Sequence, residues 1–152
     1  MAHLSGHGLS VELPRGWDGS ITRRSDALAL PVLHASSMPL PPERGDSGGR
    51  VVENLGWGEV FLCLLEHEPS CAGTALFASN GLPLPLSTDW FSPRVLQGMR
   101  PAQSGVQRFF ALQGRAFCLF VVVGEHARRH RLVLAAERVL SSLVVGPLEL
   151  QP

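Results

Sequence analysis

The stretch Val106-Gln107-Arg108-Phe109-Phe110-Ala111-Leu112-Gln113-Gly114-Arg115-Ala116-Phe117-Cys118-Leu119-Phe120-Val121-Val122-Val123 decides the fold class. Two runs rich in β-branched and aromatic residues are separated by Gln113-Gly114, the spacing of an antiparallel hairpin. Side chains alternate across a strand, so Phe117, Leu119, Val121 and Val123 share one face while Cys118, Phe120 and Val122 share the other. Both faces are apolar, which predicts a central strand covered on each side.

Glu59 to Glu66 repeats that logic, because Val60-Phe61-Leu62-Cys63-Leu64-Leu65 is apolar throughout and predicts a second central strand. Past Val123 the period changes. Leu132, Val133, Ala136, Val139, Leu140 and Leu143 recur at three- and four-residue intervals, the stripe of an amphipathic helix over about 126–143, stopped by Gly146-Pro147. Nearer the amino terminus, Leu9-Ser10-Val11-Glu12-Leu13 alternates like a half-buried strand, and Pro14 to Gly19 reads as a turn. Ser20 to Arg23 would be its partner, and Pro31 pushes the run Ala27 to Ala35 toward a sheet edge. Ser36 to Gly49 and Asn80 to Pro101 are Pro- and Gly-punctuated; the first reads as a mobile loop, and Ser87 or Thr88 would cap a short turn in the second. The predicted fold is α+β, a mostly antiparallel sheet with packed helices, in one domain over 1–152 whose residues 1–8 form a flexible tail.

Thirteen Arg and no Lys balance thirteen acids. Net neutrality disfavours wholesale nucleic-acid binding, which draws its affinity from excess positive charge. The charge is nevertheless uneven: between Arg94 and Arg131 lie seven Arg and one acid, Glu125. That asymmetry marks an acidic partner or an intersubunit contact unless the two halves neutralise each other in the fold. The longest purely apolar run, Phe117 to Val123, is far short of the ~20 residues that span a bilayer. Cys63, Cys71 and Cys118 cannot all pair, as expected of reduced thiols in the cytoplasm.

Gly45-Asp46-Ser47-Gly48-Gly49 matches the surroundings of a serine-protease nucleophile. Such a serine needs a base, an orienting carboxylate and oxyanion donors, or else a strand directly before the turn. Only 46 residues precede Ser47, with His34 as the one strand-borne base, and Pro-Leu-Pro-Pro-Glu-Arg leads into the string. A loop in which Asp46 or Ser47 caps the next turn fits better. Cys63-x3-His67-x3-Cys71 on a strand would separate its members by roughly 13 Å, too far for one ion. His126-x3-His130 lacks the zincin glutamate and is crowded by arginine. No cofactor or metal is expected.

Arg128, Arg129 and Arg131 in the first turns of a helix oppose its dipole, at a cost of roughly a few tenths of a kcal/mol that an anion or acidic partner would offset. Trp90 and Phe91, beside Arg94, offer the aromatic anchor that interfaces favour. These six residues are the candidate partner- or anion-binding set, with a homo-oligomer left open.

The strand closing in Leu13-Pro14-Arg15-Gly16-Trp17, the central hairpin and the helix running into Val139-Leu140-Ser141-Ser142-Leu143 resemble the PsbP-like α/β sandwich. Val32-Leu33-His34-Ala35, Val60-Phe61-Leu62, Gln107-Arg108-Phe109-Phe110 and His126-Ala127-Arg128-Arg129 resemble actinobacterial proteins of no assigned activity, and exclusive use of arginine suits a GC-rich genome. The PsbP-like resemblance implies a non-enzymatic accessory or binding role and carries over no functional residue. The leading expectation is therefore a non-catalytic protein-interaction domain, as a small subunit of a larger assembly. The alternatives are a small serine hydrolase using Ser47 and a binder of a small anionic ligand near Arg128 to Arg131.

Overall fold

The computed structural model describes residues 1–94 and 99–147. Antiparallel strands dominate: β1 (Ala2–Gly6), β2 (Leu9–Leu13), β3 (Asp18–Arg23), β4 (Pro31–Ser36), β5 (Val60–His67), β6 (Ser104–Leu112), β7 (Arg115–Val123) and β8 (Val144–Val145). Two α-helices accompany them, α1 (Gly49–Asn54) and α2 (Arg129–Leu140), the latter preceded by a 3-10 turn at His126–Arg128. The fold is α+β, as the sequence predicts. A five-stranded sheet runs in the order β3-β4-β5-β7-β6 and a three-stranded sheet in the order β1-β2-β8.

The β6–β7 hairpin turns at Gln113 and Gly114, with φ of 55° and 74°, the two positive values a type I′ turn demands. β5 and β7 are hydrogen-bonded neighbours, Cys63 opposite Phe120 and Leu64 opposite Leu119. Their apolar character on both faces has a direct cause: the large sheet is covered twice. One face buries Leu33, Leu62, Leu64, Phe117, Leu119 and Val121 against the α2 stripe and against Leu9, Val11 and Leu13 of the small sheet. The other buries Val32, Phe61, Cys63, Leu65, Cys118 and Val122 against Val51 and Val52 of α1 and Leu55 just beyond it. Each such aliphatic side chain contributes about 1.5–3 kcal/mol, which offsets the absence of an acidic residue in the first turn of α2.

Several expectations need correction. Residues 1–8 contain no free tail over Ala2–Gly6: β1 pairs with β2 through a two-residue turn, His7 and Gly8 at φ 51° and 76°. The short polar residues Ser5 and Ser10 alternate with Leu4, Leu9 and Val11, and that half-apolar pattern suffices once a second strand lies beside it. β3 partners β4 and not β2. β4 lies inside the sheet; Pro31 is tolerated there because it is the first residue of its strand. Finally, the cap of α1 is Gly48, with no side-chain bond from Asp46 or Ser47.

Candidate functional site

Residues 36–49 are expected to be mobile, yet the segment is tied down. His34 is 3% exposed, and its Nε2 lies 2.7 Å from the Asp46 carbonyl while its Nδ1 accepts from Arg44 Nε at 2.8 Å. Arg44 also donates to the Pro41 carbonyl and to Ser20 Oγ. Burial pushes the His34 pKa down to about 4, against a smaller upward pull from the Asp46 carbonyl; the nearby Arg44 charge adds to the lowering. Both ring nitrogens are therefore committed to loop residues other than Ser47. Gly48 sits at φ 75°, and a Cβ there would come within 2.2 Å of Phe61 Cζ, so this glycine is fixed by packing as well as by backbone sterics.

The cysteines divide by burial. Cys63 and Cys118 are buried, and burial raises both thiols, Cys63 further; Cys71 is half-buried. Among the described residues no three His, Cys, Asp or Glu side chains come together as a metal site requires.

Arg128 and Arg129 of the arginine-rich run follow the end of β7, in the turn before α2 and at its start, whereas Arg115 opens β7 at the other end of that strand. Arg128 lies over the exposed Trp57 ring, its guanidinium carbon 4.9 Å from the centroid, and its Nε is 2.9 Å from Glu125 Oε2. That carboxylate oxygen is buried without an aligned hydrogen bond, so the contact is one of charge more than of geometry. Arg129, next in the chain, turns the other way and donates to the carbonyls of Thr88 and His126 at 3.2 and 3.1 Å. Thr88 opens the 3-10 turn Thr88–Trp90, capped by Ser87 Oγ, which accepts from the Asp89 backbone N–H. Trp90 at its end is covered by Arg108 of β6, 3.8 Å from guanidinium carbon to ring centroid.

The structure thus brings Arg128, Arg129 and Trp90 of the predicted set to one end of the molecule. Arg131 and Arg94 are exposed, and the Arg94 backbone N–H donates to Ser92 Oγ. Phe91 must be withdrawn as an anchor. It is 6% exposed and belongs to the core beneath α2, because the chain after Trp90 turns inward to bridge Ser92 to Gly105. Sequence reasoning missed Trp57 and Arg108. The signal for Trp57 was present, since Gly56-Trp57-Gly58 puts a large ring in a turn with no apolar neighbour to bury it.

A pocket of about 550 Å³ opens beside Trp57, lined by Leu55, Arg100, Ala102, Gln103, Gly124 and Glu125 among others. Residues Arg100 to Gln103 form a tight turn, with Gln103 N–H donating to the Arg100 carbonyl at 3.1 Å and Ala102 at φ 76°. That positive φ with Pro101 before it is the pattern of a type II turn, where glycine is the usual occupant. Buried Gln103 holds the turn: its Oε1 accepts from Arg100 N–H at 2.8 Å and its Nε2 donates to Val52 and Leu55 carbonyls. No helix among the described residues is long and apolar enough to cross a membrane. The chain matches no protein-family model, no curated protein and no solved structure.

Proposed function

We propose that the chain is a non-catalytic interaction domain of the cytoplasm, docking on an acidic protein partner as a small subunit of a larger assembly. The observation that carries this reading is the pair of surface tryptophans, Trp57 and Trp90, each covered by an arginine, with Arg129, next to Arg128, bonded to the Thr88 carbonyl of the turn that carries Trp90. Trp and Arg are the residue types that dominate binding energy at protein interfaces, and an arginine stacked on an indole keeps its outer edge free for a carboxylate. Arg94 and Arg131 add charge, in a stretch whose one acid is already engaged by Arg128. The PsbP-like resemblance implies the same accessory role. The alternative, Ser47 as a hydrolase nucleophile, would need a base, and His34 is bonded to Asp46 and Arg44.

Affinity capture with the tagged full chain from its native host, repeated with Trp57→Ala/Trp90→Ala and with Arg128→Glu, tests the proposal. A partner retained by wild type and Ser47→Ala but lost by both surface variants, with unchanged circular dichroism, supports it. Capture indifferent to those substitutions removes the surface, and an esterase activity abolished by Ser47→Ala replaces the proposal with the hydrolase.

A further inference from the structure

We propose that the pocket between Trp57 and the Arg100–Gln103 turn is a ligand site for a monocarboxylate carried on an aromatic stem, distinct in its key residue from the docking surface. The volume of about 550 Å³ suits a small molecule or one terminal residue of a peptide. Arg100 supplies the anion recognition. Among the described residues its guanidinium makes a single long bond, 3.4 Å to the Glu53 carbonyl, so most of its N–H fork is available to a planar, two-oxygen acceptor. Trp57, 64% exposed, supplies ring area for the stem.

Local charge selects the class. Arg100 and Glu125 line the pocket and Arg128 lies over Trp57, two positive charges against one negative. One net positive charge matches a monoanion. A phosphate dianion would bring excess negative charge beside Glu125, and an ammonium would meet two guanidinium groups.

The walls are built before any ligand arrives. A Cβ on Gly124 would fall 1.7 Å from the Gly56 carbonyl oxygen, so two backbones touch there and fix the floor. Ala102 is kept at φ 76° by the Gln103 side chain on one side and by the His126 N–H, 2.6 Å from the Ala102 carbonyl, on the other. A non-glycine residue held in this region stores backbone strain, and such strain persists where a structure over-determines a functional geometry. Here the clamp presents Arg100 at the pocket mouth, lowering the ordering cost of binding.

The carboxylate has two sources, a free aryl acid or the terminal carboxylate of an aromatic residue. Titration of the full chain, followed by ¹H–¹⁵N correlation spectra, separates them with five probes. These are phenylacetate, phenylphosphate, phenethylamine, and the peptide acetyl-Ala-Ala-Phe as its free acid and as its terminal amide. The expected result is a saturable shift of the Trp57 indole N–H and of the Ala102 and Gly124 amides with phenylacetate, the free-acid peptide, or both. The tighter of the two names the source. The amide, phosphate and amine probes should bind at least about tenfold more weakly, and Arg100→Gln should weaken the carboxylates by about tenfold while Arg94→Gln does not. Absence of a saturable shift from either carboxylate, equal binding of the amide or the amine, or indifference to Arg100→Gln overturns the proposal. Partner capture should survive Arg100→Gln, so that the two sites fail separately.

Discussion

Glu66 accepts two hydrogen bonds from Arg115, from Nε to Oε2 at 2.9 Å and from Nη2 to Oε1 at 2.6 Å, with both side chains buried. The remaining three N–H groups of Arg115 go to the carbonyls of His7, Gly8 and Gly146. One guanidinium therefore ties the large sheet to the end of the small one where the β1–β2 turn meets Gly146 beyond β8. Arg115→Met leaves a buried carboxylate without its counter-charge and removes a donor from three carbonyls, of which Gly8 keeps the Gly146 N–H. It should cost about 3–5 kcal/mol by urea unfolding. Glu66→Gln keeps the shape and one acceptor and should cost about 1.5–3 kcal/mol. An Arg115→Met chain as stable as wild type would show that the two sheets hold together by apolar packing alone.

Acid should loosen the His34 region before it unfolds the rest. The folded His34 pKa, about 4, lies below the ordinary value of 6.5 because burial disfavours the imidazolium. The stability tied to neutral His34 is therefore full above pH 6.5 and lost as pH falls toward 4. Over that window the linked loss is about 3 kcal/mol. His34→Gln should flatten the curve of unfolding free energy against pH between those limits. An unchanged slope in the variant would assign the acid sensitivity to other groups.

Two glycine substitutions should differ sharply. Gly114 sits at φ 74° with nothing within 4 Å of a built Cβ, so Gly114→Ala carries only the backbone penalty of about 1–2 kcal/mol. Gly124→Ala drives a methyl into the Gly56 carbonyl and must separate two backbones. It should cost more than Gly114→Ala and perturb Trp57 fluorescence, which Gly114→Ala leaves alone. Ala102→Gly works the other way. Relief of the positive φ should raise stability by about 1 kcal/mol in thermal unfolding.

Thiol reactivity should sort by position. Cys63 and Cys118 are buried with thiols pushed up by that burial, whereas Cys71 is half-buried in the turn Pro69–Gly73. A thiol-disulfide reagent should react quickly with one cysteine of the native chain and with all three in denaturant. Rapid modification of Cys63 in the native state would show that the 36–49 segment opens.

Elements with a strong local signature were legible in the sequence. The Gln113-Gly114 hairpin, the doubly apolar β5 and β7, and the α2 stripe follow from period and turn chemistry, which act within a few residues. What escaped reading depends on distant partners. β3 pairs with β4 rather than with its sequence neighbour β2, and β4 lies inside the sheet because β5, which begins only at Val60, pairs with it from Val32, one residue past Pro31. The candidate site shows the same division. The charge bias and Trp90 were visible, but the pairing of Arg108 with Trp90 and of Arg128 with Trp57 spans 18 and 71 positions. Phe91 was misassigned for the same reason, since neighbours in sequence face opposite ways when the chain turns inward.

The small sheet sets an order of events during synthesis. β2 pairs with β8, and Ser142 Oγ accepts from the Glu12 backbone N–H across 130 positions. As the chain leaves the ribosome, Leu9, Val11 and Leu13 have no permanent cover until α2 and β8 follow, so the amino-terminal hairpin waits for nearly the whole chain. Closure over such a span is slow and keeps apolar surface open to aggregation in the meantime. A chain interrupted before Val144 would keep that hairpin unclasped, a ready substrate for chaperones and proteases.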